Sequence, residues 1–138
     1  MIYWLIGILV VAALALWFVT KGIGRKHALD KSVKQKVAEA WDIIEQIMQE
    51  DNESAHARAV VDADKLLDFV LKKKNIPGET MGDRLKNGSN YFKDVDSVWR
   101  AHKVRNQIAH EINMKITRTQ AKQTLDLFKK SLRDLGAL

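Results

Sequence analysis

The stretch Trp99-Arg-Ala-His-Lys-Val-Arg-Asn-Gln-Ile-Ala-His-Glu111 is dense in groups that could do chemistry: His102, Arg105, Asn106 and His110. Counting about 100° per residue from Val95, positions 95, 98, 99, 102, 105, 106, 109 and 110 fall within an arc of about 140°. An apolar stripe that begins with Val95, Val98 and Trp99 therefore runs directly into arginine, asparagine and histidine. A guanidinium can clamp a phosphate and an amide can orient it. An imidazole, with a model-compound pKa of about 6.5, can accept a proton. Burying such groups unpaired costs several kcal/mol, on the order of the polar desolvation scale, so a partner, a ligand or solvent in a cleft must compensate. The plain structural account pairs Arg105 with Asp62, Asp64 or Asp68, with Asn106 and His110 capping neighbouring carbonyls.

The elements that must position this cluster are helical. From about residue 27 apolar residues recur at three and four, and no stretch alternates as a strand would. Val33, Val37, Ala40, Trp41, Ile44, Ile47 and Met48 predict a first amphipathic helix, with Asn52 placed to cap the next. Val60, Ala63, Leu67, Phe69, Val70 and Leu71 give the second its apolar face, and Lys72-Lys73-Lys74 at its end complements the helix dipole. Asn75-Ile76-Pro77-Gly78 breaks the chain, and Thr80-Met81-Gly82-Asp83 reads as a capping box opening a short helix. The fourth helix carries the polar cluster towards His110. The fifth opens at Thr117-Arg118-Thr119-Gln120 and repeats Ala121, Leu125, Phe128, Leu132 and Leu135. The expectation is an all-α bundle of four to five helices over residues 27–138.

Ahead of it lies a different material. Residues 2–20 hold no charged side chain, whereas every Lys, Arg, Asp and Glu lies from Lys21 onwards. As a helix the run would span roughly 28 Å, near the bilayer's hydrocarbon thickness of about 30 Å. Tyr3 and Trp4 at one end and Trp17 and Phe18 at the other fit aromatic interface belts. Nothing basic precedes the run, against a cleaved signal peptide. The expectation is a single transmembrane helix within a unit of residues 1–26, with Gly22 and Gly24 as a hinge. Lys21, Arg25 and Lys26 would keep the C-terminal domain cytoplasmic and the N-terminus outside, as a single-pass protein of the cell membrane.

Arg105-Asn106-Gln107-Ile108-Ala109-His110, preceded by Trp99 and His102 and by the Asp-Lys-Leu-Leu run at 64–67, resembles the motif of the HEPN superfamily: Arg, a polar residue, three spacers, His. The resemblance covers roughly residues 30–137 and is nearest to small membrane-anchored versions. It implies a helical bundle that pairs as a homodimer, with two motifs facing across the dimer. It also implies a metal-independent endoribonuclease, or RNA or nucleotide binding in members that have lost activity. Carried onto this chain, His110 acts on the 2′-hydroxyl as general base, Arg105 stabilises the phosphorane and Asn106 orients the motif, with His102 in support. The products would be a 2′,3′-cyclic phosphate and a 5′-hydroxyl.

Other chemistries are poorly served. Cysteine is absent, which excludes disulfides, thiolate zinc, iron–sulfur clusters and cysteine nucleophiles. His110-Glu111 is followed by Met at position 114 rather than His, and His102 with His110 lacks a third ligand at usable spacing, so no metal is expected. No Gly-Lys-Ser or Gly-Lys-Thr occurs, and no cofactor is expected. The formal charge of +6 suits RNA and an anionic lipid surface equally. Two functions from different classes follow: a membrane-tethered ribonuclease, and a non-catalytic RNA- or nucleotide-binding or protein-interaction module whose polar cluster stabilises a homodimer.

Overall fold

The computed structural model describes residues 7–16 and 28–138, and every regular element among them is helical. Helix α1 covers residues 7–16; α2 is Lys31–Ile47, α3 Glu53–Lys73, α4 Met81–Asn87, α5 Val95–His110 and α6 Arg118–Asp134, with a single 3₁₀ turn at Ser89–Tyr91. The all-helical expectation holds.

The expected transmembrane helix does not. The described part of α1 spans about 15 Å at 1.5 Å per residue. Among the described residues no helix is long and apolar enough to cross a membrane. The single-pass anchor over 2–20, and with it the cell-membrane location and orientation, are corrected on that finding. The rest of that expectation, the aromatic belts at Tyr3, Trp4, Trp17 and Phe18, the basic residues Lys21, Arg25 and Lys26, and the glycine hinge, lies outside the described residues.

Helix α3 is the centre of the bundle, packing against α2, α4, α5 and α6, while α5 and α6 also pack on each other. Its predicted face is buried through Val60, Ala63, Leu67, Val70 and Leu71, with Phe69 at the margin. All five apolar positions predicted for the last helix are buried, and Phe128 and Leu132 are fully enclosed. Truncating a phenylalanine so placed to alanine costs about 3–5 kcal/mol.

The helix starts follow the sequence chemistry. Asn52 accepts from the Ala55 amide at 2.8 Å. Thr80 and Asp83 form the predicted capping box, as do Thr117 and Gln120. Asp94 caps α5 by accepting from the Ser97 amide. The lysine triplet is absorbed structurally: Lys72 pairs with Asp68 at 2.8 Å, Lys73 lies over the Phe69 ring and Lys74 over Tyr91.

Candidate functional site

Helix α5 is rotated relative to the simple wheel. Its buried strip runs through His102 near the middle of the predicted arc, Val98 towards one edge and Ala101 beyond that edge. The small Ala101 is fully buried, which turns that side of α5 towards its neighbours. The opposite edge, Trp99, Asn106 and His110, opens on a cleft of about 1010 Å³ walled by α3, the start of α4 and α5. Arg105 leaves the helix on the buried side, about 140° from His110, and is half-buried.

Asp64 on α3 organises the buried side. Its carboxylate is almost fully enclosed and faces two α5 residues at once. One oxygen, Oδ1, accepts from His102 Nδ1 at 2.7 Å; the other, Oδ2, lies 3.3 Å from Arg105 Nε. The second contact is a pairing of charge without hydrogen-bond alignment, so the buried Arg105 Nε–H has no acceptor among the described residues. Arg105 Nη1 donates to Asn106 Oδ1 at 3.0 Å, which gives the guanidinium a second fixed neighbour. His102 also meets Trp99 edge to face, with ring centroids 6.0 Å apart.

The expected pairing of Arg105 with a carboxylate of the preceding helix is therefore made by Asp64. The other two candidates are occupied elsewhere: Asp62 by Arg58 and Lys65, Asp68 by Arg84 and Lys72. Part of the compensation for the polar face thus comes from within the chain, through Asp64 and Asn106. The expected carbonyl caps are not formed: Asn106 is turned to Arg105, and exposed His110 makes no hydrogen bond or ion pair among the described residues.

The facing wall is built by a second buried pair. Arg84 Nε donates to Asp68 Oδ1 at 2.6 Å, and Arg84 Nη1 donates to the Gly78 carbonyl. Burial alone would raise the Asp68 carboxyl, but the hydrogen bonds from Arg84 and Lys72 outweigh it and hold its pKa below the ordinary value. Gly78 has φ +154°, and a Cβ there would lie 2.8 Å from both the Arg84 amide nitrogen and Asp83 Cβ, so the turn that aims α4 at the cleft requires glycine.

The cleft brings all four sequence-selected residues, His102, Arg105, Asn106 and His110, to one lining. It also enlists Trp99, Lys103, Arg100, Lys65, Met81 and Gly82, which motif reasoning did not select as site residues. The signal for the lysine and arginine residues was present in their positions beside the motif on α5 and beside Asp64 on α3. Met81 and Gly82 arrive through the α3–α4 turn, which no periodicity reveals. Among the described residues no group of three or more His, Asp or Glu side chains could hold a metal ion. Comparison of the chain with protein-family models, with curated proteins and with solved structures gave no match.

Proposed function

We propose that residues 30–137 are a HEPN-type domain whose α5 cleft binds RNA and cleaves it by metal-independent transesterification. The observation that carries this reading is that Arg105 and His110 front one cleft in different states of restraint. Arg105 is oriented from behind by Asp64 and Asn106, whereas His110 is exposed and unbonded among the described residues. The first suits a fixed phosphate contact and the second a base that must exchange a proton with substrate.

In the step this implies, the His110 imidazole accepts the 2′-hydroxyl proton as the 2′-oxygen attacks phosphorus. Charge on the non-bridging oxygens is met by the Arg105 guanidinium. The bond from phosphorus to the 5′-oxygen breaks, and that oxygen takes a proton from solvent. The products are a 2′,3′-cyclic phosphate and a 5′-hydroxyl, and no oxidant or metal enters the balance. Asn106 holds the guanidinium, and His102 positions it indirectly by fixing Asp64. Arg105 and His110 leave α5 about 140° apart, a spread suited to a cleft shared by two copies in a homodimer.

A second reading is favoured by one specific observation: Asp64 already serves both His102 and Arg105 inside one chain. The cluster could then be a structural brace in a non-catalytic RNA-binding or protein-interaction module. Incubating the full chain with RNA in excess chelator separates the two. If the domain is a ribonuclease, the wild type cleaves, His110→Ala abolishes cleavage and keeps binding, and Arg105→Ala weakens both, the catalytic loss being on the order of 3–4 kcal/mol. An inactive wild type whose melting temperature drops on Arg105→Ala favours the brace.

A further inference from the structure

Trp99 is a large aromatic side chain left 38 % exposed on the wall of the cleft that holds Arg105 and His110. Core packing does not account for that placement. The indole is nevertheless held in position. His102 meets it edge to face at 6.0 Å, with the rings inclined by 71°. On the far side of the cleft, α4 approaches through Gly82, where a Cβ would sit 3.6 Å from Trp99 Cη2 and 3.9 Å from Cζ3. The start of α4 therefore lies against the ring edge at ordinary contact distance. The Thr80–Asp83 capping box and the Arg84 bond to Gly78 fix where that start lies.

Around the ring the lining carries the basic side chains Lys65, Arg100, Lys103 and Arg105. Lys103, next but three to Trp99 on the helix, is exposed and has no ion pair among the described residues. Of the three lining carboxylates, Asp64 is committed to His102 and Arg105 and Asp68 to Arg84 and Lys72, which leaves exposed Asp96 to set against the cations. A restrained aromatic surface beside an unpaired lysine, Lys103, and the fixed guanidinium of Arg105 is the combination by which proteins hold unpaired nucleobases: the ring stacks on the base while the cations meet the phosphate.

We propose that Trp99 is a nucleobase-stacking subsite, seating the base next to the phosphate that Arg105 contacts, so that the cleft accepts an unstacked nucleotide and rejects one paired within a duplex. This rests on the RNA-binding reading above and adds to it the residue that engages the base. A duplex buries its base faces against their neighbours, so it has none to offer the indole.

The test uses the full chain with short 2′-O-methyl oligomers, which lack the attacking hydroxyl and remain intact. One oligomer carries 4-thiouridine and a matched one is abasic. The wild type should bind the base-containing oligomer more tightly than the abasic one, and irradiation should attach thiouridine to the peptide containing Trp99. Trp99→Leu should weaken binding of the base-containing oligomer by about 5- to 100-fold, the range for one lost stack, and leave the abasic oligomer unchanged. Trp99→Phe, which keeps a ring, should fall between. The crosslink is read on the wild type and does not depend on any variant folding. Adducts mapping away from Trp99, or a Trp99→Leu chain that binds both oligomers as the wild type does, would overturn the subsite while leaving the RNA-binding cleft standing. A wild type that binds neither oligomer overturns both.

Discussion

Replacing Asp64 by alanine removes one carboxylate from two partners at once. His102 loses a 2.7 Å hydrogen bond, and Arg105 loses the counter-charge 3.3 Å from its Nε. Breaking a buried charged pair by deleting one member costs about 3–5 kcal/mol, and a hydrogen bond to a charged group about 1.5–3 kcal/mol. These overlap, since both partners lose the same group. Arg105 also retains 28 % exposure and with it part of its hydration. We therefore expect a loss of about 3 kcal/mol, or roughly 12 °C in melting temperature at about 4 °C per kcal/mol for a domain of this size. Asp62 provides the control on the same helix: it is half-buried but its partners Arg58 and Lys65 are exposed, so Asp62→Ala should cost about 0–1 kcal/mol. Urea unfolding followed by circular dichroism measures both. If Asp64→Ala lies within about 0.5 kcal/mol of Asp62→Ala, the claim that one carboxylate organises the site is wrong.

Three further outcomes follow from separate features. His56 is buried with neither ring nitrogen hydrogen-bonded, so His56→Leu should leave stability unchanged or raise it by about 1 kcal/mol in the same urea titration; a loss above about 1 kcal/mol would mean the imidazole has a role that its isolation does not indicate. Asp68 has a folded-state pKa held below its ordinary value of 3.8. Its pairing should therefore contribute full stability above about pH 4 and lose it as pH falls through the lowered native value. Asp68→Asn should flatten that acid limb of a stability–pH curve, and an unaltered limb would contradict the assignment. Gly78→Ala should destabilise by roughly 1–3 kcal/mol, because both the positive φ and the 2.8 Å approaches oppose a side chain; a neutral result by thermal melting would show that the turn relaxes.

Much of the bundle was legible because its signals are local. The apolar spacing of the last helix marks its buried side, and Asn52, Thr80 and Thr117 each carry a side-chain oxygen that only a helix start employs fully. The site was legible in part. Arg105, Asn106 and His110 drew attention because polar groups interrupt an apolar stripe, but which way α5 turns depends on Ala101, a residue whose small size matters only once a neighbouring helix is present. Asp64 could be listed among three acids and not selected, since a contact across 38 positions of sequence leaves no periodic trace. The wall formed by Met81 and Gly82 was hidden for the same reason, being placed by the Gly78 turn and the Arg84–Asp68 pair. The transmembrane expectation was an inference from the composition of an uncharged run, and no helix among the described residues is long and apolar enough to meet it.

The central claim is that this cleft cleaves RNA by attack of the 2′-oxygen, with His110 as the base. The most direct measurement gives the full chain, in excess chelator, an end-labelled oligoribonucleotide and a copy in which every 2′-hydroxyl is replaced by hydrogen, and identifies the termini by mass spectrometry. The account predicts 2′,3′-cyclic phosphate and 5′-hydroxyl ends from the ribose substrate, an intact 2′-deoxy copy, and no cleavage of either by His110→Ala. Cleavage of the 2′-deoxy copy, 5′-phosphate ends, or an intact ribose substrate bound by the wild type would contradict it.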